Sequence, residues 1–173
     1  ISKMFVVTFL VSFIAIFVFS DTVIASTQFE DLLEQNSALI KKSSSKTVEP
    51  VLKKIKAYGG PVATRFLKNW KAKKIFLLKS IGKFVVGAPT VENGKKMVTI
   101  FSVTTNKKLS VNPARDLKQL KPNSGVRAKI ASSLVPLQLL SGSLDERREG
   151  IETVERKVER SHIAPLRDAL KKE

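Results

Sequence analysis

The chain has 173 residues, with 31 Lys and Arg against 15 Asp and Glu, one histidine and no cysteine, for a formal charge of +16. That length suits one domain. The absence of cysteine removes disulfides and thiolate zinc sites, and His162 alone leaves no histidine cluster and at most one candidate for a serine–histidine triad. These counts disfavour most familiar hydrolase and metalloenzyme classes.

Residues 4–19, MFVVTFLVSFIAIFVF, carry no charge and only two hydroxyls, with Lys3 before them and Asp21 after. As a helix they would reach about 24 Å, short of the roughly 30 Å hydrocarbon core of a bilayer. A positive start, an apolar centre and the pair Val23 and Ala25 fit a secretory signal peptide over residues 1–25, cleaved after Ala25. An uncleaved anchor is the alternative. A buried core helix is a poor match, because the segment is apolar on every face.

Beyond this segment, Thr27-Gln-Phe-Glu30 has the spacing of a capping box and predicts a helix carrying Phe29, Leu32, Leu33, Leu39 and Ile40 inward. The polar run Lys41 to Lys46 ends it. Val48, Val51, Leu52 and Ile55 predict a second helix starting at Thr47, with Pro50 in its first turn and Tyr58-Gly-Gly-Pro61 as its stop. Val62, Phe66 and Trp70 define a third apolar stripe, opposite a cationic face of Arg65, Lys68, Lys71, Lys73 and Lys74. The period then shortens to two. Ile75–Lys79, Lys83–Gly87, Met97–Val103 and Lys108–Val111 read as strands, with Asn93-Gly94 as a hairpin signal.

Helical spacing is expected again from Arg115 to Leu120, and then through Val126, Ile130, Leu134, Leu137 and Leu140. Ser143-Leu-Asp-Glu146 is a second capping box, opening a charged helix with Ile151, Val154 and Val158 inward. The last helix, about Ile163 to Lys172, points Leu166, Ala169 and Leu170 inward. The expected fold is mainly α: short helical hairpins of HEAT-like repeat type, interrupted by a small antiparallel β insert at 75–111. The mature chain divides into a helical part at 26–74, this insert, and helical pairs at 112–173.

Residues 1–140 hold 23 basic and 7 acidic side chains, whereas 141–173 hold 8 of each. The excess positive charge therefore belongs to the first part of the chain. Interleaved with Phe66, Trp70, Phe76, Phe84 and Phe101, it could attract nucleic acid. Those aromatic positions coincide with inward stripes, however, and export would carry the chain away from cytoplasmic nucleic acid, so anionic lipid or envelope polymers are the expected counter-charges. His162 is read as a surface or capping residue. Glu30, Asp31 and Glu34 are read as acids complementing a helix start, and Asp145 to Glu159 as solvated pairs with neighbouring arginines. No phosphate-binding loop occurs. No catalytic, cofactor-binding or metal-binding residue is assigned, and the chain is read as no enzyme.

The stretch Val111-Asn-Pro-Ala-Arg-Asp-Leu-Lys-Gln-Leu-Lys-Pro-Asn-Ser-Gly-Val-Arg-Ala-Lys-Ile130, followed by Leu137-Gln-Leu-Leu-Ser-Gly-Ser-Leu-Asp-Glu-Arg147 and Ala164-Pro-Leu-Arg-Asp-Ala-Leu-Lys-Lys-Glu173, resembles part of a known family. It is similar to the amino-terminal extracytoplasmic region of the permease subunit of bacterial urea ABC transporters, in the branched-chain amino-acid type permease family. Phe29 to Leu33 and the Asn93-Gly94 hairpin are similar in kind, so the resemblance covers about Gln28 to Glu173. It implies a non-catalytic domain at the bacterial inner membrane, facing the periplasm and docking other transporter components. Those partners would be a second permease, two ATPases and a periplasmic urea-binding protein. No substrate-path residue carries over, because the resemblance is to the family's extracytoplasmic region alone.

Overall fold

The computed structural model describes residues 20–171. The expected export segment at residues 4–19 lies outside the described residues, while residues 20–25 belong to the first helix. In chain order the elements are α1 (Ser20–Gln35), α2 (Ser37–Lys41), α3 (Glu49–Tyr58), α4 (Gly60–Lys71), β1 (Ile75–Leu78), β2 (Lys83–Glu92), β3 (Lys95–Ser102), β4 (Lys108–Pro113), a 3₁₀ turn (Ala114–Asp116) and β5 (Leu117–Gln119). There follow α5 (Ser124–Leu139), α6 (Leu144–Arg156), a 3₁₀ turn (Arg160–His162) and α7 (Ile163–Leu170).

The five strands form one antiparallel sheet in the order β4-β3-β2-β1-β5. Strands β4 and β5 are its two edges, yet only the 3₁₀ turn at Ala114–Asp116 joins them. Laid flat, four strand spacings would separate them by about 19 Å, whereas so short a link reaches at most about 14 Å. The sheet must therefore curl over on itself. Gly87 sits at the corner, where β2 stops pairing with β1 and continues along β3. A Cβ there would lie 2.4 Å from Cδ2 of Phe76 and 2.9 Å from Cγ1 of Val98, so only glycine lets the Phe76 ring fill the inside of the bend.

Alternation along the strands then supplies two cores. On the outer face, Ile75, Leu77, Phe84 and Val86 pack with Phe29, Leu52, Ile55, Phe66, Trp70, Val126 and Ile130 of the helices. On the inner face Phe76, Val85, Val98, Ile100 and Leu117 make a separate cluster within the curl. A third, smaller cluster of Val135, Leu139 and Val154 joins α5 to α6, with Leu166 and Ala169 of α7 against it.

This architecture corrects the expected fold class. The chain is not a mainly α stack of HEAT-like hairpins with a small insert; it is an α/β fold in which the sheet shares the principal core with the helices. The expected helix at Arg115 to Leu120 is instead the 3₁₀ turn and β5, which pairs with β1 as Phe76↔Gln119 and Leu78↔Leu117. Leu117 and Leu120 stand three apart, a spacing that suits one helical turn. Here Leu117 opens β5 and enters the inner cluster, while Leu120, just past the strand's end, enters the main core.

Three smaller expectations change. Helix α1 begins at Ser20, so Thr27 is no N-cap; Glu30 and Asp31 stand within the helix and Glu34 in its last turn, none of them at its start. The helix is interrupted at Asn36, between α1 and α2; its Nδ2 donates to the Leu32 carbonyl at 2.7 Å while Oδ1 accepts from Lys54 Nζ at 3.0 Å. Near the carboxyl end, Ile151, Val158 and Leu170 are exposed rather than inward. Helix α6 ends at Arg156, before Val158 can share its face, and α7 offers only Leu166 and Ala169 to the third cluster.

Other expectations hold. Val48, Val51, Leu52 and Ile55 are buried, and Gly59 and Gly60 take φ of 71° and 69° at the α3–α4 corner. Ser143 caps α6, its side chain accepting from the Glu146 amide at 3.4 Å.

Candidate functional site

The clearest polar feature is the charge of the sheet. Residues 73–121 hold eleven cations, and Glu92 and Asp116 are their only carboxylates. Three of the cations are engaged: Lys83 pairs with Glu30 of α1 at 3.1 Å, Arg115 lies 3.8 Å from Asp116, and Lys79 Nζ donates to the Arg115 carbonyl at 2.6 Å. Lys73, Lys74, Lys95, Lys96, Lys107, Lys108, Lys118 and Lys121 are exposed and have no ion pair among the described residues. Hairpin tip, edge strands and the entry to β1 thus all present lysine.

The aromatic residues do not accompany this charge to the surface. Phe66, Trp70, Phe76 and Phe84 are buried, Phe101 is half-buried against the main core, and Phe29, Phe66 and Trp70 pack ring against ring with centroids 5.6 Å and 5.8 Å apart. Base stacking on these rings is therefore closed off, as their positions in the sequence suggested.

On the cationic face of α4 the structure separates residues that the sequence grouped. Lys71, Lys73 and Lys74 are exposed. Arg65 instead donates to the Thr104 carbonyl on the β3–β4 connection. Lys68 reaches α6, with Nζ 2.7 Å from Glu149 Oε2 and 3.3 Å from Glu146 Oε1. Burial by itself lowers the Lys68 ammonium; the hydrogen bond to Glu149 and the charges of Glu146 and Glu149 outweigh that and hold it above the usual lysine value. Glu146 and Glu149, expected to pair along their own helix, in fact tie α6 to α4. Glu149 also accepts from the buried Gln138 of α5 at 2.8 Å. Nothing in the local sequence marks this bridge, since Lys68 and Glu146 are 78 residues apart.

A cleft of about 280 Å³ lies between α1 and the end of the sheet formed by the β1–β2 and β3–β4 turns. Its walls include Leu33, Leu78, Phe84 and the exposed Ile81 and Leu109, with Glu30, Glu34 and Lys83 among its polar groups. It brings apolar surface to solvent without a nucleophile–base pair. Among the described residues no group of three or more His, Cys, Asp and Glu is placed to hold a metal ion. No described helix is long and apolar enough to cross a membrane.

His162 departs from expectation. It occupies the N-cap position of α7, but its side chain makes no cap and is only 2% exposed. Nε2 stands 3.8 Å from Glu159 Oε2, beyond hydrogen-bond range. The hydrogen bond from Lys157, then one from Ser132, holds the Glu159 carboxyl below the usual carboxylate range. Ser132, Glu159 and His162 are thus neighbours, but the carboxylate rather than the imidazole takes the serine hydroxyl. That order is not the one a serine nucleophile needs, where the base must lie between.

Compared with models of known families, with characterised proteins and with solved structures, the chain finds no match.

Proposed function

We propose that this chain is a non-catalytic extracytoplasmic domain of an ABC transporter permease of the urea type, serving as a docking region within the transport complex. One observation carries the reading. The stretch Val111–Ile130, on which the family resemblance chiefly rests, forms the end of β4, the 3₁₀ crossing, β5 and the capped start of α5. It is the seam between sheet and helices, so the resembling residues belong to a framework that presents surfaces, not to a reactive site. The open apolar cleft beside α1 is a surface of the kind such a role requires.

ATP-driven uptake of labelled urea tests this directly, in cells carrying the intact transporter and in cells whose transporter lacks residues 27–171. Loss of uptake on deletion is expected. Unchanged uptake, or a dependence seen only for a different solute, would overturn the reading.

The unpaired lysines of the sheet favour a second reading, an exported basic protein that binds anionic envelope polymers or nucleic acid. It requires affinity for a polyanion such as heparin or duplex DNA to fall by about 10³ or more between 50 and 200 mM salt, as when six or more phosphates are neutralised. A shallow salt dependence would remove it.

A further inference from the structure

A second cavity, of about 210 Å³, opens where the end of α4, the middle of α5, the end of α6 and the 3₁₀ turn before α7 meet. Ala128 and Ala131 of α5 line it, Lys71, Arg156 and Lys157 contribute their cationic side chains, and His162 borders it from within the protein. Neither ring nitrogen of His162 has a hydrogen-bond partner, although the side chain is 2% exposed. Buried polar groups are almost always paired, and an imidazole always carries at least one N–H to donate. The structure thus places an unsatisfied buried donor against a space large enough for a small molecule.

The charges around that space choose the sign of what would fill it. Lys71 has no ion pair among the described residues, and Arg156 lies 3.5 Å from Glu152, which does not line the cavity. Lys157 is 2.9 Å from Glu159, the one carboxylate lining the cavity. Glu159 is itself occupied, since it also accepts from Ser132. With Glu152 set against Arg156 and Glu159 against Lys157, the unpaired Lys71 ammonium leaves the cavity with an excess of positive charge. A cation would find one carboxylate, Glu159, and one imidazole, His162, while the hydroxyls of Ser132 and Thr153 already donate to Glu159 and to the Glu149 carbonyl; these are too few free ligands for a stable site.

We infer that this cavity is a binding site for a small oxyanion, a phosphate or short carboxylate, which accepts the His162 N–H and lies against the Lys71 ammonium and the Arg156 guanidinium. The alanine floor suits the apolar side of a short carboxylate; the cationic rim suits either ion. The site is independent of the transporter reading, because it needs neither a membrane nor a partner protein.

His162 is the only histidine of the chain, so its Cε1 proton gives a single reporter resonance. The full chain in nonionic detergent would be titrated at fixed pH and ionic strength with inorganic phosphate, with acetate and with chloride. A saturable shift of the His162 resonance with phosphate or acetate, absent with chloride, is expected, and the ion that saturates first identifies the class. In Lys71→Glu, an exposed position that the fold does not depend on, half-saturation should move at least tenfold higher, and Arg156→Gln should move it in the same direction. Shifts that are linear, equal for all three ions, or unchanged in both variants would overturn the site as an adventitious ion effect only.

Discussion

The sheet and the carboxyl-terminal helices treat charge in opposite ways. Residues 73–121 set eleven cations against two carboxylates, whereas the described residues of the last helices, 141–171, hold seven of each sign. In the helices the charges have work within the fold: Glu146 and Glu149 take Lys68, Glu152 faces Arg156, and Glu159 takes Lys157. On the sheet most lysines meet only water. The sheet thus carries the net charge without using it for cohesion, whereas the helices use theirs. The sheet holds through its two apolar faces and tolerates lysine at its rim, while α6 and α7 have few buried side chains and rely more on polar ties.

If so, the sheet should break through its inner cluster. Phe76→Ala should cost about 3–4 kcal/mol in denaturant unfolding, as expected for a large buried aromatic. Gly87→Ala alone should cost about 1–3 kcal/mol, because the new Cβ meets the Phe76 ring and Val98. The double variant should lose clearly less than the sum of the two, since removing the ring makes room for the methyl group. Strict additivity would mean that Gly87 matters for some reason other than the ring.

The next effect concerns binding rather than stability. Lys95→Glu with Lys96→Glu, at the hairpin tip, should lower the slope of polyanion affinity against salt by about 2 if both lysines meet phosphates. Arg148→Glu with Arg167→Glu, in the balanced helices, should leave it unchanged. Filter binding at several salt concentrations compares the two, and equal losses would erase the contrast between the regions.

Helix α6 should respond to loss of its tie to α4. Lys68→Met should lower stability by about 1 kcal/mol at neutral pH, a figure reduced for solvent screening of a partly exposed pair. The Lys68 pKa is raised in the folded chain, so its contribution is fully present below the ordinary lysine range and disappears as pH climbs through the raised value. The gap between wild type and Lys68→Met in thermal melts should accordingly close at strongly alkaline pH.

The smallest effect belongs to Glu159. Its folded pKa is depressed, so its contribution is present above the ordinary carboxylate range and vanishes as pH falls through the lower folded value. Glu159→Gln should melt slightly earlier than wild type at pH 7 and together with it in strong acid.

Much of the fold could be read locally. The apolar spacing in α3, α4 and α5 marks buried side chains such as Val51, Phe66 and Ile130, and alternation together with Asn93-Gly94 marks β2 and β3. Ser143 announces the start of α6. What escaped such reading depends on distant partners. Three residues of β5 contain too little pattern to declare a strand, and they become one because β1 offers them a free edge. The start of α1 escapes such reading too, because a capping-box spacing can recur inside a helix. Of the site features, the lysine excess and the inward aromatics were visible, but the Lys68 bridge and the burial of His162 were not, since each is made by elements brought together only on folding.

The sequence by itself determined the strands β1 to β4 and the apolar faces of most helices, where the positive charge is concentrated, and that cysteine and histidine-cluster chemistry is absent. Those properties follow from side-chain type and spacing over a few residues. The tertiary structure alone decided that the sheet closes on itself across a three-residue link, that it shares one core with the helices instead of interrupting a helical array, and that an unpaired imidazole borders a cationic cavity. Each of these arises from surfaces meeting across dozens of residues, where the energy lies in packing and pairing that no local pattern records.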